Sequence, residues 1–289
     1  MTGEDAAPQF GLTEDQLDTL PTAYRGDLFD GKVVLVSGAG SGVGKATAWL
    51  FARLGAKLAI CGRTLDKLEH TAAGLKRLGA EVLTVPMNIR EPDQVTALME
   101  AVWDRFGGVD VLVNNAGGQF AQDAIDFSPK GWKAVIDNNL NGTWYMMQTA
   151  ARRWRDQGRP GAIVNVTASV TKGIYGVAHS CAARAAVNYL SKTVAVEWAP
   201  LDIRVNCIAL GTHETEGFAN YDPEASAQFH RSNQMMHNGD AWDIAEACVY
   251  LAAPSGKFIT GEVLTVDGGS QMWGEMWIAG KPDYFKAGD

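Results

Sequence analysis

The run GKVVLVSGAGSGVGKATAWL, residues 31–50, restricts the fold more than any other part of the chain. Its apolar block VVLV has the length and composition of a buried strand, stops at Gly38, and is followed by apolar positions at helical spacing. A strand that feeds straight into a helix needs a crossover before the next parallel strand can pair. The same alternation then repeats. AKLAICGR reads as a second strand, residues 65–78 as a helix ending at Gly79, AEVLTVPMNI as a third strand and EPDQVTALMEAVWDRFG as a helix. Further strands follow in VDVLVNNAGG, AIVNVTAS, DIRVNCIALG and EVLTVDGG, with helical patterns between the earlier ones. Strands alternating with helices predict an α/β protein with a doubly wound, mostly parallel sheet covered on both faces.

No Pro/Gly/Ser linker divides the pattern, and 289 residues with 46% hydrophobic content suffice for one large core. The expected organisation is a peripheral acidic leader over 1–29, a single domain over 30–270 and an aromatic tail over 271–289. A net charge of −8 argues against a nucleic-acid partner. Cys61, Cys181, Cys207 and Cys248 form no C-x-x-C pair and read as reduced, buried hydrophobes, with no metal site expected. No apolar run approaches the roughly eighteen residues of a membrane span, and the acidic beginning does not resemble a secretory signal. A cytoplasmic location is expected.

Glycines at 38, 42 and 44, where a strand meets a helix, let a phosphate approach the backbone while exposed helix N–H groups receive its charge. VSGAGSGVGKA, with NNAG at 114–117, NNLNG at 138–142 and VDGG at 266–269, resembles the short-chain dehydrogenase/reductase family over nearly the whole chain. The resemblance implies a Rossmann-like, seven-stranded sheet and a nicotinamide dinucleotide. In its terms Gly38, Ser41, Gly42, Val43 and Gly44 cradle the pyrophosphate, Asn88 and Ile89 frame the adenine, and Asn115, Ala116 and Gly117 pack behind its ribose. Ile208, Gly211 and Thr215 adjoin the nicotinamide, although Leu210 replaces the usual proline of that loop.

NAD-binding members place an acidic residue at the end of the second strand, where it would repel a 2′-phosphate. CGR stands there instead, so Gly62 leaves space and Arg63 offers a planar donor fork. NADP(H) is favoured, with NAD(H) left open.

The family's Tyr-x-x-x-Lys is missing. AHSCAARAAVNYLSKTVAVEWA, residues 178–199, aligns Ser180 with the tyrosine and Arg184 with the lysine. Arg184 can hold the nicotinamide ribose and impose a positive potential, but it does not release protons. Ser180 donates a hydrogen bond yet is a weak acid, which suits an enolate better than the alkoxide of a simple carbonyl reduction. Tyr175 is the candidate donor, with an aromatic lid as its other reading. Ser169 matches the family's substrate-orienting serine. Asn139, in a helix expected from about residue 131, matches the asparagine that interrupts regular backbone bonding to hold a water close to Arg184, or serves as a packing amide.

MNIRE, NNAGGQF, SPKGWKAVIDNNLNGTWYM and HSCAARAAVNYLSKTVAVEWA look like peroxisomal trans-2-enoyl-CoA reductases and bacterial relatives assigned to citronellol or citronellal oxidation. The implied activity is NADPH-dependent reduction of a trans-2-enoyl-CoA. Two alternatives stand: oxidation or reduction of terpenoid or long-chain alcohols and aldehydes, and a non-catalytic NADP-binding protein. The final tripeptide AGD carries no peroxisomal address. Residues 212–240 are expected to form the substrate flap for an acyl-CoA or other hydrophobic small molecule. There Phe218, Tyr221, Phe229, Met235 and Met236 would line an acyl tunnel or pack the lid. His179, His213, His230 and His237 are given structural or surface roles. Trp273, Trp277, Tyr284 and Phe285 suggest a docked tail, and the resemblance implies a homotetramer.

Overall fold

The computed structural model describes residues 10–272. One seven-stranded sheet runs through it in the order β3-β2-β1-β4-β5-β6-β9, and every pairing is parallel. In chain order the elements are α1 (Glu14–Thr19), β1 (Val33–Ser37), α2 (Gly42–Arg53), β2 (Lys57–Gly62), α3 (Leu65–Arg77), β3 (Val82–Pro86), α4 (Pro92–Phe106) and β4 (Val111–Asn114). Then come α5 (Pro129–Ile136), α6 (Gly142–Gln157), β5 (Gly161–Ala168), α7 (Ala178–Trp198) and β6 (Ile203–Leu210). The two-residue strands β7 (His213–Glu214) and β8 (Gly239–Asp240) bracket α8 (Pro223–Ala227), and α9 (Ala241–Ala252) leads to β9 (Val263–Val266).

Strand periodicity decides which face each side chain enters. Val34 and Val36 of β1 join Trp49, Phe51, Ile60, Ile244 and Val249 on the α2/α9 side. Val33 and Leu35 join Leu98, Val102, Leu112, Met147, Trp154 and Val205 on the α4/α6 side. Both faces of the strand are therefore dry, which is why VVLV reads as a continuous apolar run. Strand order reverses between β1 and β4, so the crevice at their carboxyl ends is the place where such sheets take ligands.

Residues 10–29, read from sequence as a peripheral leader, are fastened to the domain. Leu17 and Phe29 are buried in the α2/α9 core. Trp49 Nε1 donates to Asp18 at 2.8 Å, and Arg53 donates to the carbonyls of Leu17 and Leu20 at 2.9 and 2.8 Å. Thr13 and Gln16 close a capping box on α1. Among the described residues no helix is long and apolar enough to cross a membrane.

Candidate active site

The helix expected from residue 131 is interrupted by a π-helical turn at Asp137–Asn141, between α5 and α6. The inserted residue swings Asn139 out of the regular ladder and inward, where it is fully buried. Its amide clamps the backbone of Gly118: Nδ2 donates to the Gly118 carbonyl and Oδ1 accepts the Gly118 N–H, each at 3.0 Å. The same Nδ2 lies 3.4 Å from the Ser180 hydroxyl on the first turn of α7.

One turn further along α7, Arg184 donates Nη1 to the Val166 carbonyl at 2.8 Å. Its guanidinium lies against Gly117, where a methyl group would collide with Nη2 and stand 3.3 Å from Asn139 Oδ1. No carboxylate among the described residues pairs with it. Burial without a counter-charge pushes its pKa down to about 10, still far above neutral, so it stays a cation. Asn139, Ser180 and Arg184 thus converge on the 117–118 backbone at the carboxyl end of β4.

The glycine loop adjoins this cluster. Gly44 packs so closely on Gly38 that a methyl there would overlap the Gly38 carbonyl. Gly42 and Val43 open α2, and Ser41 stands at its N-cap without using its hydroxyl as a cap. Ser37 ties the two turns together by accepting the N–H groups of Asn115 and Ala116 at 3.1 and 3.0 Å, while Asn115 Nδ2 donates to the Ser37 and Gly38 carbonyls at 3.1 and 3.2 Å. Arg63 is exposed just past β2 and has no acidic partner among the described residues. Asn88 spends its amide oxygen on Arg90, and Ile89 is buried against Gly142. Thr215 lies over Gly42, Gly211 fits under Asp267, and Ile208 is fully buried in the α2/α9 core.

Two expected site residues stand apart from the cluster. Tyr175 is 87% exposed, and its hydroxyl is hydrogen-bonded to the Asp123 carboxylate. That bond pushes the phenol's pKa up, which makes it a poorer acid. With Gln122 N–H donating to the Gly176 carbonyl at 2.9 Å, the contact zips two surface loops together. Ser169 donates to Asp267 Oδ2 at 2.8 Å, so its hydroxyl serves the turn after β9.

His179 is buried and stacks on Phe127, with ring centroids 4.3 Å apart and Phe120 edge-on at 4.6 Å. Its Nδ1 accepts the Ser180 N–H at 2.8 Å while Nε2 has no hydrogen-bond partner among the described residues, and burial lowers its pKa. Phe218, Tyr221 and Phe229 of the flap pack on one another, whereas Met235 and Met236 are exposed. Trp273, Trp277, Tyr284 and Phe285 lie outside the described residues.

A phosphate-accepting helix start, an unused N-cap hydroxyl and a partly buried guanidinium with no counter-ion among the described residues are what a nicotinamide dinucleotide needs from its host. Residues 38–271 match a family model described as enoyl-(acyl carrier protein) reductase. The chain belongs to the short-chain dehydrogenase/reductase family, and it is an oxidoreductase that works with a nicotinamide nucleotide.

It is 34% identical over 263 residues to the Arabidopsis thaliana peroxisomal 2,4-dienoyl-CoA reductase, (3E)-enoyl-CoA-producing, covering 86% of this chain and 88% of the relative. The Rattus norvegicus enzyme of the same description is 36% identical over 252 residues, covering 85% and 86%. Among solved structures, the citronellol catabolism dehydrogenase AtuB of Pseudomonas aeruginosa superposes with a TM-score of 0.77 at 32% identity, covering 86% of this chain and 99% of that one.

Proposed function

We propose that this enzyme uses NADPH to reduce the conjugated double bonds of an α,β-unsaturated acyl-CoA. The observation that carries the reading is the trio Asn139, Ser180 and Arg184, which supplies hydrogen-bond donors and positive potential but no good acid.

The cofactor supplies a hydride. When a nucleophile of that kind adds to an unsaturated thioester, charge moves to the thioester oxygen. Ser180, oriented by Asn139, donates a hydrogen bond to that oxygen, and Arg184 provides a fixed cationic field. For a trans-2-enoyl chain the hydride enters at C3 and a proton at C2. For a 2,4-dienoyl chain yielding a 3-enoyl product, as the named relatives do, the hydride enters at C5 and the proton at C2. Either way the oxygen needs stabilising before a carbon is protonated, and water from the open cleft can serve as the proton source. A ketone or aldehyde would instead require a proton at the developing alkoxide, where neither Ser180 nor Arg184 is suited to give it.

In this reading Gly38, Ser41, Gly42, Val43 and Gly44 receive the pyrophosphate, Arg184 the nicotinamide ribose, and Arg63 the 2′-phosphate that sets NADP(H) above NAD(H). Tyr175 is a lid residue. The terpenoid alternative keeps standing because of the likeness to AtuB. Following nicotinamide absorbance with crotonyl-CoA, a 2,4-dienoyl-CoA, citronellol and citronellal separates the readings. Turnover of either thioester, with none of the terpenoids, is expected; turnover confined to citronellol or citronellal would reject the acyl-CoA assignment.

A further inference from the structure

The flap between β7 and β8 sends one side chain back to the glycine loop. The N–H of Gly42, first residue of α2, donates to Glu216 Oε2 at 2.8 Å. The start of this twelve-residue helix is where the family's dinucleotide places its pyrophosphate, so the carboxylate is an anion supplied by the protein itself at a phosphate seat.

Glu216 is also held from behind. A Cβ at Gly11, whose φ is +88°, would stand 3.1 Å from both the Cδ and the backbone nitrogen of Glu216. Next to it Phe10 packs on Phe218 with ring centroids 5.8 Å apart, and Phe218 continues into Phe229 and Tyr221 of the flap. The strap is not loose, because α1 is bonded through Leu17, Asp18 and Leu20 to Arg53 and Trp49 of α2. Strap and phosphate seat therefore belong to one packed unit, with Glu216 between them.

We propose that Glu216 is an internal competitor for the cofactor's pyrophosphate, latched by the Phe10/Gly11 strap, so that dinucleotide entry requires its expulsion and loosens the flap. Two anions cannot share one N–H seat without strong repulsion. Binding is thereby coupled to flap movement, and return of the carboxylate favours release of spent cofactor.

The test is dinucleotide binding without acyl-CoA, so it stands whether or not the substrate reading holds. NADP+ and NAD+ are titrated into wild type, Glu216→Gln, which keeps the length and the acceptor but removes the charge, and Phe10→Ala, which loosens the strap. For whichever dinucleotide binds wild type more tightly, Glu216→Gln should lower Kd about three- to tenfold, as expected for one charge at a helix N-terminus, and Phe10→Ala should shift it the same way by less. Detectable binding only in Glu216→Gln would support the latch still more strongly. An unchanged or raised Kd in a Glu216→Gln protein that melts like wild type, or no binding of either dinucleotide to any of the three, would overturn it.

Discussion

Arg184 is a costly residue in the site, since its partly buried guanidinium meets a carbonyl but, among the described residues, no carboxylate. Its folded pKa of about 10 lies below the ordinary guanidinium range, so folding penalises the charged form. The sign is that of a depressed cation: the penalty is fully present below about pH 10 and fades only as pH rises through that value. Arg184→Met should therefore melt higher than wild type by a few degrees, on the order of 1–3 kcal/mol, by an amount that is flat between about pH 6 and 9. The same protein should lose most of its dinucleotide affinity. Calorimetry showing Arg184→Met less stable would mean that the hydrogen bond to Val166 outweighs the burial cost. That Asn139, Ser180 and Arg184 come together was legible in the sequence, because two of them sit four residues apart on one helix and the third lies in a recognisable NNLNG. Of the two readings of Tyr175, donor or lid, the exposed ring fits the lid, and its hydroxyl partner Asp123 belongs to another loop and leaves no local pattern in the sequence.

At the scale of elements, the strands and long helices follow from apolar periodicity, and each expected strand is found in the sheet. A break in regular backbone bonding at Asn139 was expected from the family resemblance, but its π-helical form was not, since one extra residue scarcely disturbs a helical pattern over so short a span. Its consequence is energetic as well as geometric, because Asn139 satisfies both polar groups of Gly118. Asn139→Ala should destabilise the fold by about 1–3 kcal/mol through these stranded groups, whereas Ser180→Ala should cost well under about 1 kcal/mol. Equal chemical-denaturation midpoints for wild type and Asn139→Ala would contradict that ordering. Helix α1 was legible in principle: the T-x-x-Q of its capping box is present at residues 13–16, but the helix is only six residues long and was absorbed into a segment read as leader. Gly44→Ala forces a methyl into the Gly38 carbonyl, which is backbone and cannot rotate away. It should abolish dinucleotide binding, as read by nucleotide fluorescence, even if the variant folds.

For the whole molecule, the long helix α7 leaves apolar side chains uncovered on a face that also carries the exposed Lys192 and Thr193. Tyr189 and Val196 are 74% and 79% exposed, with Ala182 and Ala185 on the same side. Exposed apolar side chains on a long helix suit a contact between copies, which is where the homotetramer implied by the family resemblance would be tested. Sedimentation of wild type as a tetramer and of Tyr189→Glu as a smaller species is expected; a wild-type monomer at working concentration would reject the assembly. The flap aromatics Phe218, Tyr221 and Phe229 were expected as tunnel or lid residues, whereas the Glu216 contact was beyond sequence reasoning, since it depends on distant segments meeting across the cleft.

The proposed reduction requires charge stabilisation at the thioester oxygen by Ser180 and not an acid at Tyr175. Rapid mixing of the NADPH complex with a 2,4-dienoyl-CoA, following one turnover of nicotinamide oxidation in wild type, Ser180→Ala and Tyr175→Phe, measures this directly. Ser180→Ala should slow the hydride step about 100-fold, the usual cost of one lost oxyanion donor, while Tyr175→Phe leaves it within about twofold of wild type. A fast Ser180→Ala together with a crippled Tyr175→Phe would contradict it.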